Sequence, residues 1–230
     1  MSNLVILQKI QRISGAWHGL FRTVQRVAHE PLGALGLFLV VFVLISAIGA
    51  DWWSTHEPNQ INVRAAFASP SLEHFLGTDQ LGRDIFSRVL VGGQIALKVS
   101  LISIGVALLI GLTLGLIAGF GPRWVDNILM LLFDSVRSFP AVMFALAVVT
   151  LFGPSLTTIM IIVIVTQIPI YGRMVRSQTL ALKNSEFILT ERAMGAGFFR
   201  IIFVHMLPNV IGPLLILASM DIPFVITIEA

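Results

Sequence analysis

Long hydrophobic runs, separated by shorter polar stretches, dominate the pattern along this chain of 230 residues. Five of them are long enough to cross a bilayer, which takes about 20 mostly apolar residues in a helix: 32–50, 95–119, 128–152, 155–172 and 209–228. Each run is predicted to be helical, because a chain in lipid must pair its own backbone amides. The predicted fold class is therefore an all-α polytopic membrane protein with five transmembrane helices.

Composition supports this fold and excludes several kinds of site. The chain is 56% hydrophobic and only 12% charged, with a mean hydropathy of +0.91, unlike a soluble domain. The absence of cysteine excludes disulfides, thiolate metal sites and a cysteine nucleophile. The sequence also has no G-x-x-x-x-G-K-[ST] phosphate loop, so we expect no ATPase site in this chain. We also expect it to bind no cofactor or metal. Nucleic acid is not an expected partner.

The first 31 residues are predicted to form a separate amphipathic segment. Basic side chains alternate with apolar ones that recur at helical spacing over residues 4–28. The apolar positions are Leu4, Leu7, Ile10, Ile13, Trp17, Leu20, Phe21, Val24 and Val27, and the basic ones are Lys9, Arg12, Arg22 and Arg26. A helix on the membrane surface is the preferred interpretation, and a partly disordered tail is the alternative.

The distribution of positive charge predicts the orientation. Residues 1–30 hold four Lys/Arg and one acid, and the 173–208 segment holds five Lys/Arg and two acids. Both are expected in the cytoplasm, whereas the 51–94 connection, with five acids against three arginines and the interface residues Trp52 and Trp53, belongs outside. The remaining chain, 32–230, is a transmembrane domain. Because it stops directly after the fifth run, we expect a fragment that lacks at least one further helix.

The 173–208 segment contains a predicted helix-turn-helix. Asn184 or Ser185 is suited to begin a helix that Gly195 or Gly197 ends. A second short helix is predicted over 198–207, followed by Pro208 at the start of the fifth span. Such a corner is stiff enough to transmit force. Its apolar side chains require either the protein's own helix ends or another subunit as a partner.

Small and polar residues mark particular faces of the spans. Ala107, Gly111, Gly115 and Gly119 recur every four residues in the second span, which is typical of close helix packing, either within the chain or against a second one. Asp134 and Arg137, three residues apart, are predicted to pair on one helix face.

Two further polar side chains lie deep in the predicted spans. Asp221 lies between Pro213 and Pro223, and a lone acid at that depth should face a bundle interior or a wet cavity. Asp221 is therefore a candidate to line a path through the bundle, and packing inside the bundle is the alternative. Gln167 is a weaker candidate for the same path, since an amide also serves to bind a neighbouring helix.

The stretch FILTERAMGAGFFRIIFVHMLPN, residues 187–209, resembles the cytoplasmic EAA loop of permease subunits of binding-protein-dependent ABC importers. The family pattern is Glu-Ala-Ala, three residues, Gly, nine residues and Ile-x-Leu-Pro. Gly195 and Leu207-Pro208 match it at the expected spacing, whereas Leu189-Thr190-Glu191 and His205 depart from it. The resemblance makes this the ATPase-coupling loop, whose expected residues are Leu189, Thr190, Glu191, Ala193, Gly195, Ala196, Gly197, Leu207 and Pro208.

A second stretch, LGTDQLGRDIFSRVLVGGQIAL at 76–97, is similar to a block typical of the dipeptide, oligopeptide and nickel branch. The matching residues are Gly77, Thr78, Asp79, Gly82, Arg83, Asp84, Ser87 and Arg88. Two interpretations stay open for this block: a self-bridged loop that positions the second span, and a surface that contacts a binding protein. The likeness runs from about residue 31 to the end and corresponds to the second permease of such systems.

The resemblance implies a membrane subunit that forms half of a translocation pathway for small peptides, in a bacterial or archaeal plasma membrane, the inner membrane in a Gram-negative cell. Its implied partners are membrane lipid, a second permease subunit (identical or different), two cytoplasmic ATPase subunits that hydrolyse ATP, and an extracytoplasmic binding protein. The family fold has a sixth helix. Nickel or another small solute is the alternative substrate.

Two other function classes have weaker support. An intramembrane enzyme would need a catalytic motif. HEPLG at 29 and HEPNQ at 56 lack the second histidine of a zinc-binding helix. The G-x-S-x-G motif of a serine nucleophile does not occur either. An ion-driven carrier would need several intramembrane ionisable groups and an inverted repeat, and the sequence offers Asp134, Arg137 and Asp221 without a convincing repeat.

Overall fold

The computed structural model describes residues 24–229, with side chains to 227. The predicted amphipathic segment lies mostly outside these residues, although residues 24–29 are helical. Within the described range the regular elements are helices, and the one pairing of extended backbone is an isolated bridge between Thr78 and Asp84. The predicted all-α membrane fold is confirmed.

Four helical segments are long and apolar enough to span a membrane. They are α1 (Pro31–Ile48), α3 (Ile85–Phe120), α6 (Leu156–Lys183) and a last helix that runs over Phe198–Thr227. Between α1 and α3 lie the short α2 (Ala50–Trp53) and one 3₁₀ turn at Val63–Ala65.

The third predicted span, 128–152, is wrong as a single straight helix. It consists of α4 (Arg123–Ser138) and α5 (Ala141–Phe152), which meet at an angle of 84°. The break falls at Pro140, which has no N–H to donate, and the preceding Phe139 is extended, as proline demands of its neighbour. The two helices count as one span only if a bent pair crosses the membrane.

The second short helix predicted at 198–207 is also wrong as a separate element. The helix α7 (Glu186–Ala193) is short, as expected. The chain then enters α8 (Phe198–Arg200), passes through a π-helical stretch at Ile201–Met206 and continues as α9 (Leu207–Glu229). The residues on both sides of Leu207 are helical, so Pro208 lies inside this last helix and does not begin it.

The chain divides into two compact units, Met1–Gln94 and Ile95–Ala230. The described part of the first unit contains α1, α2, the loop at 54–84 and the beginning of α3. Only 6% of the apolar window of α1 is buried, so its side chains require lipid or a partner chain to cover them.

In the second unit α6 is the central helix, and the glycine face of α3 packs directly on it. A Cβ placed on Gly111 would lie 2.7 Å from Tyr171 Cβ, and one on Gly115 would lie 2.5 Å from the carbonyl oxygen of Gly172. Gly119 meets Thr179 in the same way, at 2.6 Å. The small residues therefore let the two backbones approach closely within this chain.

Other contacts hold α4 and the last helix to α6. Phe133 of α4 is 3% exposed and covers Gly172, where a Cβ would lie 2.5 Å from its ring. The Arg176 guanidinium binds both carboxylate oxygens of Asp126, with Nη2 to Oδ2 at 2.6 Å. On the last helix, Val210 and Leu214 are fully buried in the same core as Tyr171 and Val175.

Replacing Gly115 tests the close approach of α3 and α6. Gly115→Ala should lower the thermal unfolding midpoint of the detergent-solubilised chain, because overpacking a tight contact costs about 1–3 kcal/mol. The matched control is Gly105→Ala in the same helix, where an added Cβ meets nothing within 4 Å. Equal midpoints for the two variants would contradict the packing described.

Candidate functional site

The corner segment, residues 184–208, turns sharply at Gly195. Gly195 has φ +87°, its N–H donates to Arg192 O, and the Ala196 N–H donates to Glu191 O, both at 2.9 Å. These two bonds form a Schellman motif, in which a left-handed residue closes a helix end. Of the two glycines offered by the sequence, Gly195 therefore ends α7, whereas Gly197 has an ordinary φ of −70°.

The inner side of the corner segment is a small hydrophobic core. Ile188 and Met206 are fully buried, Ile201 is 2% exposed, and all three pack with Leu116 and Phe120 at the end of α3. Because α7, the last helix and α3 share this core, the corner segment is fixed to the ends of two membrane-spanning helices.

The Phe120 ring is the centre of this attachment. The Arg192 guanidinium lies 5.0 Å and the Lys183 ammonium 5.6 Å from its centroid, and Phe198 contacts it edge-on at 5.0 Å. Lys183 also donates to the carbonyl oxygens of Gly119 and Phe120, at 3.4 and 3.3 Å. A cation at the carboxyl end of α3 neutralises the partial negative charge there.

The outer side of the corner segment is exposed and largely apolar. Leu189 is 51%, Met194 70% and Phe199 73% exposed, and Thr190 and Ala193 are exposed between them. Two residues that depart from the family pattern, Glu191 and His205, are in contact. Glu191 Oε2 lies 3.5 Å from His205 Nε2. Leu207 is half-buried and Pro208 is exposed.

The bend between α4 and α5 opens a cavity of about 570 Å³. Side chains of α4, α5, α6 and the last helix line it, including Arg137, Phe144, Thr166, Gln167 and Phe224. Gln167 is 3% exposed, and its amide nitrogen has no hydrogen-bond partner among the described residues. The cavity therefore has a mostly apolar wall and two side chains that can donate hydrogen bonds, Arg137 and Gln167.

The predicted pair of Asp134 with Arg137 is not formed. Asp134 instead receives a hydrogen bond from Arg173 Nη2 of α6 at 2.7 Å. Arg137 lines the cavity and makes no ion pair within residues 24–227. The packing of α4 on α6 brings Asp134 to Arg173, a contact that the spacing of residues along α4 does not predict.

Asp221 does not line the cavity. Its carboxylate accepts a hydrogen bond of 2.8 Å from the hydroxyl of Tyr171, the chain's single tyrosine, whose ring is fully buried. Sequence reasoning missed Tyr171, although a lone tyrosine in an apolar span is a signal for a buried polar partner. The acid therefore joins the last helix to α6.

In the first unit, residues of the 76–88 block form hydrogen bonds within the loop at 54–84, here called the first loop. Asp79 accepts hydrogen bonds from the Leu81 and Arg83 N–H groups at 2.8 and 3.0 Å, and from Arg83 Nε at 2.7 Å. Thr78 Oγ1 accepts from Ala68 N and donates to Ala65 O. Gly77 and Gly82 take positive φ values of 75° and 72°.

Asp84 links the first loop to the start of α3. Its carboxylate accepts from the Ser87 N–H at 2.8 Å, which is the bond an N-cap makes to the third helical residue. The Ser87 hydroxyl accepts in turn from the His56 N–H at 3.1 Å. Arg88 Nη1 reaches Pro58 O and Asn59 Oδ1 at 3.4 Å. The block is therefore bonded both within itself and to other residues of the first loop.

Both aspartates are held ionised by this network. Burial by itself would raise the pKa of Asp79, but the N–H groups of Arg83 and Leu81 and the Arg83 guanidinium lower it below its ordinary 3.8. Burial also opposes ionisation of Asp84, and bonds from Ser87 and His74 outweigh it and lower its pKa. Because the pKa of each aspartate is lower in the folded chain than in the unfolded chain, its ionisation stabilises the loop. This stabilisation is complete at a pH above the pKa of the unfolded chain, and it is lost as the pH falls through the pKa of the folded chain.

Comparison with known proteins decides the family. Residues 111–230 match the model of the family described as binding-protein-dependent transport system inner membrane component. The chain belongs to this family. The resemblance seen in the sequence is confirmed, and the corner segment and the cavity lie within the matched region.

Relatives resemble the chain over nearly its whole length. The dipeptide transport system permease protein DppC of Alkalihalophilus pseudofirmus is 36% identical over 89% of this chain and 66% of its own length. The probable D,D-dipeptide transport system permease protein DdpC of Escherichia coli is 34% identical over 97% and 73%. A putative peptide permease of Brucella abortus is 32% identical over 96% and 73%. The chain thus spans about two thirds to three quarters of these relatives.

Removing the Asp79 carboxylate should loosen the first loop. In Asp79→Ala the Leu81 and Arg83 N–H groups lose their acceptor, so their hydrogen exchange, followed by mass spectrometry at neutral pH, should be several-fold faster. Glu57→Ala is the control, because the Glu57 carboxylate accepts no hydrogen bond from the described residues. Unchanged exchange in Asp79→Ala would contradict the role assigned to this acid.

Proposed function

We propose that this chain is a permease subunit of an ATP-driven importer and forms half of a pathway for small peptides. The single observation that carries the proposal is the corner segment, a stiff projection whose inner side is fixed to α3 and the last helix and whose outer side is exposed and apolar. Family membership and the peptide permeases among the relatives support the same function.

The proposed orientation places the corner segment in the cytoplasm and the first loop outside, in a bacterial plasma membrane. The positive charge of the 173–208 segment supports this orientation. Since the sequence carries no phosphate loop, ATP is hydrolysed by separate subunits and this chain binds no nucleotide. A second permease subunit completes the pathway.

The corner segment transmits motion in this proposal. An ATPase subunit docks on the exposed face formed by Leu189, Thr190 and Met194, and closure of the ATPases displaces α7. Because Ile188 and Met206 bury α7 against the end of α3, the displacement moves α3 and the last helix together. Access to the pathway then alternates between the two sides.

The cavity at the bend of α4 and α5 is the proposed peptide path within this subunit. Its two donors, the Arg137 guanidinium and the Gln167 amide, match the carboxylate and carbonyl oxygens of a peptide. Its apolar wall accommodates varied side chains. Asp221 has its own partner in Tyr171 and therefore serves in packing.

On the outer side, the first loop offers a docking face for a binding protein. Leu72 is 94%, Phe67 76% and Val63 71% exposed, while the polar groups of the motif bond within the loop. We therefore assign the motif to shaping the loop and the exposed apolar residues to the contact.

Replacing Gly195 tests the coupling role. Gly195→Val forces a β-branched residue into left-handed backbone, which costs about 1–2 kcal/mol even for an ordinary residue, so the corner should rearrange. We expect severe loss of ATP-driven dipeptide uptake into proteoliposomes that contain the partner subunits, with normal membrane insertion. Gly197→Val is the matched control, since Gly197 has an ordinary φ and open space around its Cβ position. Normal uptake by Gly195→Val would count against the proposal.

Replacing the cavity donors tests the path. Arg137→Gln and Gln167→Leu should lower the rate of dipeptide uptake while leaving assembly with the ATPase subunits intact. Thr166→Val is the control, because the Thr166 hydroxyl lines the same cavity but donates to Ile162 O of its own helix at 2.8 Å. If both donor variants transport at the wild-type rate, peptides do not pass through this cavity.

A further inference from the structure

Three side chains with metal-ligating atoms converge in the first loop. His56, Glu73 and His74 each offer one ligand atom, and these three atoms lie within 4.8 Å of one another. They come from two stretches of the loop that are distant in sequence, so no spacing motif signals them. HEPNQ at 56 lacks the second histidine of a zinc helix, but the fold supplies His74 in its place.

The backbone of both histidines is held in position. The His56 N–H donates to Ser87 Oγ at 3.1 Å. The His74 N–H donates to Ser71 Oγ at 3.1 Å, and the His74 carbonyl oxygen accepts from the N–H groups of Ser71 and Gly77 at 2.8 and 2.9 Å. The two imidazole rings lie with centroids 4.6 Å apart. A ligand pair on a fixed backbone loses little entropy when it binds an ion.

Each histidine already has a partner at Nδ1, which leaves Nε2 available to a metal. His74 Nδ1 lies 2.9 Å from Asp84 Oδ1, and the Asp84 side chain is 1% exposed. His56 Nδ1 lies 3.1 Å from Thr55 Oγ1. A buried carboxylate on the far nitrogen of a histidine is the arrangement that orients metal-ligating histidines and raises their basicity.

There is room for an ion beside these groups. His56, Glu73 and His74 line a pocket of about 200 Å³, together with Glu57, Asn62 and Asp84. Glu73 lines this pocket and is exposed, so an ion has a route from solvent. Water can complete the coordination shell in a pocket of this size.

We propose that the first loop binds one divalent transition-metal ion of the zinc type, through His56, His74 and Glu73, with Asp84 orienting His74. Two imidazole nitrogens and one carboxylate suit Zn²⁺ and its neighbours, whereas Ca²⁺ and Mg²⁺ prefer all-oxygen shells. The ion fastens the stretch around His56 to the stretch around His74 and so braces the exposed apolar surface between them. This proposal does not depend on the substrate or coupling mechanism of the chain.

Metal binding by the full chain in detergent, after removal of any histidine tag, tests the proposal. Zn²⁺ is titrated in competition with a chromophoric chelator, and the metal content after dialysis is measured by mass spectrometry. We expect one Zn²⁺ per chain, and Co²⁺ in its place should give the intense visible bands of a low-coordinate site.

The test variant is the double substitution His56→Asn/Glu73→Gln. Loss of an outer-shell partner alone weakens metal sites about 10- to 100-fold, so loss of two direct ligands should weaken Zn²⁺ binding more than about 100-fold. Because Glu73 is exposed, Glu73→Gln alone should keep the fold and still weaken binding. Asp84→Asn should weaken it by the smaller, outer-shell factor.

The matched control is His29→Asn/Glu30→Gln, which removes one imidazole and one carboxylate at a place outside the cluster. It should bind Zn²⁺ like the wild type. Zn²⁺ should also raise the resistance of the first loop to limited proteolysis in the wild type and control, and not in the test variant. Equal affinity in all variants, or no stoichiometric Zn²⁺ in the wild type, would overturn the proposal.

Discussion

The close approach of α3 and α6 is the constraint on which the second unit depends. Lipid tails are as apolar as leucine, so helices in a membrane gain little from hydrophobic burial and associate through tight packing and polar contacts. Gly111, Gly115 and Gly119 allow that packing because side chains and backbone of α6 occupy the space where their Cβ atoms would be. Gly172 plays the same role on the other side of α6, where the lack of a Cβ leaves room for the Phe133 ring of α4.

Polar contacts then fix helices that packing alone would leave free to slide. Arg176 binds Asp126, Arg173 binds Asp134, and Tyr171 binds Asp221, so α6 supplies the donor in three links to two other helices. Such groups cost free energy in lipid unless they are paired. With α6 held in this way, the end of α3 is a firm base for the corner segment, and the bend at Pro140 stays open as a cavity.

The first loop is ordered by a different chemistry. Its large apolar side chains are exposed, so they form no core. Backbone groups bonded by Thr78, Asp79 and Asp84 hold the loop instead. Positive φ values at Gly77 and Gly82 make the turns that bring these side chains to the backbone. The same network places His56 beside His74, which gives the loop a chemistry that neither stretch has alone.

The sequence by itself determined four membrane-spanning helices, the glycine face of α3 and a helix end at one of two glycines, Gly195 or Gly197. It identified the 76–88 block without choosing between its two interpretations. These features follow from hydrophobic run length, four-residue periodicity and local backbone preference, all of which act between neighbours in the chain. Only the tertiary structure decided that Asp134 pairs with Arg173, that Asp221 meets Tyr171, that Pro140 bends the third span around a cavity, and that His56 meets His74. Each of these outcomes depends on the rotation and tilt of elements distant in sequence, and the spacing of residues along one element carries no information about that rotation and tilt.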